Sequence, residues 1–242
     1  MPAHLVKLDS APDLVDRVYR SLLDAIVDGS LACGVRLTQD EIARQLEVSR
    51  QPVLQALRLL KADGLVQDAP GRGVLVTPLD GAWIASVYQV RAALDVLAAR
   101  LAAQHRAVLA PELIERGREA LRSRNIRALI DADAAFHNAV YVASGNPLIE
   151  QSAHIHWRHI RRAMGAVLHR SALRETVWDE HEAIAAAIAK GDAETAARLI
   201  SGHDQRASEY MSQQLGHAEL AGTHPTAPGD ENETQPRTTR AI

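Results

Sequence analysis

The sequence predicts a mainly α-helical chain in two folded parts, with a β-hairpin confined to the first, and three observations lead there. Apolar residues recur at helical spacing through most of the chain. Strand-like runs stand together only between residues 65 and 76. Hydrophobic residues make up 47% of the 242 positions but aromatics only 3%, so Ala, Leu, Val and Ile do the packing, a composition suited to closely approaching helices. That length is more comfortable as two domains than one.

The elements follow in order. Val15, Val18, Tyr19, Leu22 and Ile26 mark a first helix over 13–28, with Gly29 as its C-terminal cap. Thr38 and Glu41 form a capping box that opens a short second helix, with Ile42 and Leu46 facing inward. Glu47-Val48-Ser49 interrupts it. Ser49 caps a third helix with Pro52 in its first turn, and Val53, Leu57 and Leu60 form its apolar stripe up to Asp63-Gly64. Two short helices joined by so tight a turn are the helix-turn-helix pattern. Leu65-Val66-Gln67 and Val74-Leu75-Val76 then make a hairpin whose tip carries Gly71, Arg72 and Gly73, which is a wing. Beyond residue 81 the periodicity predicts helices over 82–105, 111–122, 125–143, 147–169, 172–190 and 192–215. This places a winged helix-turn-helix at 1–80, a helical domain at 81–215 and a disordered tail at 216–242.

Charge and cysteine content narrow the function. The formal net charge is -3, and residues 1–80 hold nine Lys/Arg against eleven Asp/Glu, so positive charge is focused rather than general. Between Ser49 and Ala62, Arg50, Arg58 and Lys61 stand without an acid. The third helix turns Arg50, Gln51, Gln55 and Arg58 away from its apolar stripe, and Arg and Gln are the side chains that bond guanine and adenine edges. Arg72 at the wing tip suits a minor groove. The lone Cys33 excludes an internal disulfide. With no membrane-spanning run and no leader-like segment, a cytoplasmic location is expected.

The run GVRLTQDEIARQLEVSRQPVLQALRLLKADGLVQDAPGRGVLVTPL resembles the DNA-binding domain of GntR-type regulators, a likeness covering about residues 13–78. It implies that Arg36, Thr38, Ser49, Arg50, Gln51 and Arg58 contact phosphates or bases of double-stranded operator DNA, with Arg72 and Gly73 in the wing. Leu54-Gln55 departs from the Arg-Glu common in that family, so the operator sequence does not carry over.

In the helical domain, Asp133 and His137 share one helix face at i, i+4 spacing, and His181 and His203 lie on two later helices. Three imidazoles and a carboxylate converging in a bundle suit Zn²⁺, Ni²⁺ or another borderline divalent ion. The residues from 82 to 213 resemble the FCD-type ligand-binding domain of one GntR subfamily. That likeness carries these four over as metal ligands and implies a cavity beside them for a small organic acid. Arg91 is expected near that cavity, and His156 on the inward stripe of its helix, while Arg158, Arg161 and Arg162 read as a charged outer face. A hydrolytic enzyme, a pure metal sensor and a structural DNA-associated protein are the rival readings. None of HExxH, nucleophile elbow, phosphate loop or dinucleotide fingerprint is present. The expected protein is therefore a dimeric regulator, a repressor in the commoner arrangement, whose two recognition helices meet a two-fold operator.

Overall fold

The computed structural model describes residues 14–169 and 174–222, with side chains through 216. The first part comprises α1 (Leu14–Val27), β1 (Arg36–Leu37), α2 (Gln39–Gln45), α3 (Arg50–Ala62), β2 (Val66–Asp68) and β3 (Val74–Val76). Thr38 caps α2, accepting the Glu41 N–H at 3.4 Å while its hydroxyl donates to the Glu41 carboxylate. Ser49 occupies the cap position of α3 in extended backbone but makes no side-chain cap bond. The wing has a strand that the sequence does not announce. β1 joins the hairpin, giving an antiparallel sheet in the order β1-β3-β2, with Arg36 opposite Leu75 and Gln67 opposite Leu75 on the other side. Gly73 makes this closure fit. Its φ is +91°, and a Cβ there would overlap the carbonyl oxygen of Leu37.

The second part comprises α4 (Gly81–Gln104), α5 (Glu112–Arg122), α6 (Ile126–Ala143), α7 (Pro147–Leu168), α8 (Val177–Lys190) and α9 (Ala193–Gly222). Asp80, Asn125 and Asn146 cap α4, α6 and α7 by accepting backbone N–H bonds, and Pro147 fills the first turn of α7. The long α4 packs against α6, α7, α8 and, most extensively, α9. Where α5 meets the start of α8, Gly117 lies so close to the Trp178 ring that any side chain there would collide with it. None of the described helices is long and apolar enough to cross a membrane.

Two boundaries differ from expectation. α8 begins at Val177 rather than 172, with Asp179 and Glu180 in its first turn, where acids suit the helix dipole. α9 continues past 215 to Gly222, while residues 223–242 of the expected tail lie outside the described residues, as do 1–13.

Buried apolar side chains form two clusters, one within α1–β3 and one within α4–α9. α7 joins the two parts. Arg158 donates to Tyr19 and to Asp63, at 2.6 Å from the latter, and its guanidinium lies over the Tyr19 ring. Arg162 is buried, donating to the Thr77 carbonyl and touching Cys33. These two arginines are therefore not an outer face. α7 is packed on two sides, so one apolar stripe does not define its interior.

Candidate functional site

The exposed side of α3 carries Arg50, Gln51 and Arg58, with Val53, Ala56, Leu57 and Leu60 buried behind them. Arg50 pairs with Asp40 at the start of α2, its Nε 2.6 Å from the carboxylate. Arg36 braces the wing instead of pointing freely outward: its guanidinium donates to the carbonyls of Pro70 and Arg72, both at 2.9 Å. Arg72 is left exposed at the tip beside Gly73. The first part thus presents a helix face and a braced hairpin tip, with Thr38 and Ser49 at the helix starts between them.

In the second part, α6 supplies Asp133 and His137, α8 supplies His181 and α9 supplies His203, all buried. Their donor atoms all lie within 4.8 Å of one another. His181 Nε2 is 3.3 Å from His203 Nε2 and 3.5 Å from Asp133 Oδ1. Bonds of about 2.0–2.2 Å to a tetrahedral ion place its donors roughly 3.3–3.6 Å apart, so these separations fit. Two of the three histidines have a carboxylate on the other ring nitrogen. His203 Nδ1 donates to Glu180 at 2.8 Å, and His137 Nδ1 is 3.1 Å from Asp95. Such partners fix the tautomer that leaves Nε2 for an ion.

The electrostatics point the same way. Burial and the Arg91 charge push His137 down to about 4. Burial, followed by neighbouring positive groups, holds His181 well below the usual histidine range, and burial lowers His203 as well. All three rings are therefore neutral at neutral pH, as ligation requires. Burial raises Asp133, and burial together with Asp95 raises Asp204. Burial also opposes ionisation of Asp95, but Arg91 and His137 outweigh it and hold its carboxyl low. Among the described residues, this interior sets Arg91 against Asp95, Asp133 and Asp204. Ionised, they leave two negative charges that a divalent cation would neutralise.

Arg91 is fully enclosed, 3.1 Å from Asp95 and 3.3 Å from Asp204, with its guanidinium 4.4 Å above the Trp157 ring. Its Nη2 also lies 2.9 Å from His137 Nε2. Loading an ion requires it to give up that contact, and Asp204, whose oxygens accept no hydrogen bond, stands beside it to receive the donor.

A cavity of about 60 Å³ adjoins the cluster, lined by Arg91, Asp133, Arg174 and His203 on its polar side and by residues including Leu129, Met164 and Trp178 elsewhere. His156 is not part of it. That ring sits half-buried on another side of α7, against the Ser152 carbonyl at 3.0 Å, while Trp157 takes the inward position. The sequence offers Asp95 as an i, i+4 partner of Arg91 on a solvated helix face, whereas the pair is buried. Glu180, Asp204 and Arg174 gave no signal, because their partners come from other turns of the fold.

Residues 14–76 match the bacterial regulatory proteins of the gntR family, and residues 86–206 match the FCD domain. The chain is similar to an uncharacterized HTH-type transcriptional regulator of Streptomyces ambofaciens, 29% identical over 191 residues that cover 77% of this chain and 80% of that protein. It is also similar to the HTH-type transcriptional repressor RspR of Escherichia coli (strain K12), 24% identical over 211 residues covering 86% and 92%. A solved structure of a putative transcriptional regulator GntR from Rhodococcus sp. RHA1 matches with a TM-score of 0.68 at 26% identity, over 84% of this chain and 97% of that one. The chain belongs to the gntR family of bacterial regulatory proteins, in the group carrying an FCD domain, and is a DNA-binding transcriptional regulator rather than an enzyme.

Proposed function

We propose that this regulator is a homodimeric repressor that releases its operator when a small carboxylate binds beside a divalent ion, Zn²⁺ or Ni²⁺, held by Asp133, His137, His181 and His203. The observation that carries the reading is the enclosed set of four donors within 4.8 Å, two of whose rings are oriented by carboxylates, opening onto a cavity. A bound ion would tie α6, α8 and α9 together beside the cavity that takes the ligand. Arg91 stands at the wall of that cavity, paired with Asp95 and Asp204.

Operator contacts in this reading come from Ser49, Arg50, Gln51 and Arg58 in the major groove, from Arg36 and Thr38 near the phosphates, and from Arg72 and Gly73 in the wing. Support for a second copy comes from α4, where Trp83, Val90 and Leu97 are exposed at intervals of seven, a seam suited to another helix. Support for coupling comes from α7, which lines the cavity with Met164 and Leu168 and holds the first part through Arg158 and Arg162. The likeness to RspR of Escherichia coli, an HTH-type transcriptional repressor, supports repression.

Elemental analysis of wild type and His203→Ala after identical purification and zinc reconstitution tests the centre. The expected result is about one ion per wild-type chain and a sharp loss in the variant. Equal metal in both, or none in wild type even after reconstitution with Zn²⁺ or Ni²⁺, removes the centre. A gel-shift titration of Arg58→Ala tests the DNA face, with an expected loss of about 1–3 kcal/mol.

A further inference from the structure

The rim of the cavity holds a charge arrangement that the metal centre does not explain. Arg174, in the segment just ahead of α8, lines the cavity, and its Nη2 donates to Glu180 Oε1 at 2.6 Å. Arg206 Nε donates to the same oxygen at 2.9 Å, and His203 donates to the other at 2.8 Å. One carboxylate thus serves two guanidinium groups and an imidazole, leaving one positive charge in excess at the rim. Arg91, also in the lining, offers no such surplus, because Asp95 and Asp204 flank it. Of the two arginines lining the cavity, only Arg174 has a partner that can release it without stranding a charge: Glu180 keeps Arg206 and His203.

The remainder of the wall is mostly apolar, with Leu129, Met164, Leu168, Val177 and Met211 among its members and Tyr88 and Tyr210 beside them. Its volume of about 60 Å³ is less than half of the ~150 Å³ apolar cavity that accepts benzene. That leaves room for a body of about two to four carbons. Against so largely apolar a wall several hydroxyls could not all find partners, and a second carboxylate would lie against carbon rather than a second surplus arginine.

Resting on the reading of this cavity as the effector site, we propose that the effector is a short monocarboxylate with an apolar body and that Arg174 binds its carboxylate. The guanidinium turns from Glu180 to the ligand, where its planar fork accommodates both carboxylate oxygens. Glu180 remains on His203, so the ligand and the metal ligand share one carboxylate as their common neighbour.

Calorimetric titration of the zinc-loaded full chain with propionate, isobutyrate, succinate and gluconate tests this. Propionate or isobutyrate is expected to bind at least tenfold more tightly than succinate or gluconate. Arg174→Gln is expected to weaken that binding tenfold or more with zinc content and melting temperature unchanged, and Arg174→Lys to recover part of it by keeping the charge without the fork. Equal affinity in Arg174→Gln and wild type, preference for succinate or gluconate, or no binding of either monocarboxylate by zinc-loaded protein overturns the proposal while leaving the metal centre standing. A wild-type chain that takes up neither zinc nor nickel overturns the centre itself and the proposal with it, and the metal assay reports that outcome separately; a chain that takes up nickel alone is titrated nickel-loaded with the same expected outcomes.

Discussion

His137 is wholly enclosed beside a guanidinium, and its proton affinity carries a consequence for the metal-free protein. An unfolded chain protonates this ring near 6.5, whereas the folded chain resists until about 4. Between those values the unfolded state binds more protons, so stability is fully present above pH 6.5 and falls as pH drops towards 4. The two neighbouring rings are lowered too and add in the same direction. For His137 alone the swing is roughly 3 kcal/mol. Thermal melts of chelated protein from pH 7.5 to 4.5 check this: the midpoint is expected to fall throughout the acid half of the range. A midpoint that holds steady or rises would mean that the three rings are already solvated or charged in the folded protein.

At the scale of elements, the wing shows what glycine and arginine contribute together. Gly73 lets β3 pass against Leu37, and Arg36 ties the tip to β1 through two carbonyls. Gly73→Ala combines a strained φ with a collision against backbone, so a destabilisation of about 1–3 kcal/mol is expected. Denaturant titration reads that loss, and an unchanged midpoint would show that the sheet edge yields freely. Helices were legible in the sequence because Thr38, Pro111, Gly145-Asn146-Pro147 and Gly191-Asp192 punctuate a steady apolar period. β1 was not, since two residues are too few to show alternation. The four candidate ligands stood out by residue type and spacing. Glu180 and Arg174 did not, because a carboxylate beside a histidine and an arginine ahead of a helix look like ordinary surface until tertiary contacts join them. Arg158 and Arg162 were misread for a related reason: a helix clasped from two sides hides charged residues as well as apolar ones.

For the whole molecule, the decisive contact is that clasp. Arg158→Ala removes the partner shared by Tyr19 and Asp63, at a site where the arginine side chain is only 20% exposed. A cost of about 1–2 kcal/mol is expected. Hydrogen exchange should quicken in α1 and α3 while α6 and α8 keep their protection. Uniform quickening would point to general unfolding, and no change would show that the two parts are held elsewhere. The geometry of α7 also sets a scale for control. Leu168 at the cavity and Arg158 at the clasp are separated by about 15 Å of helix. A tilt of about ten degrees about the cavity end would move the clasp by about 3 Å, comparable to the ~3.4 Å between successive base pairs. A ligand needs to shift this lever only slightly to put two recognition helices out of step with the pitch of the double helix.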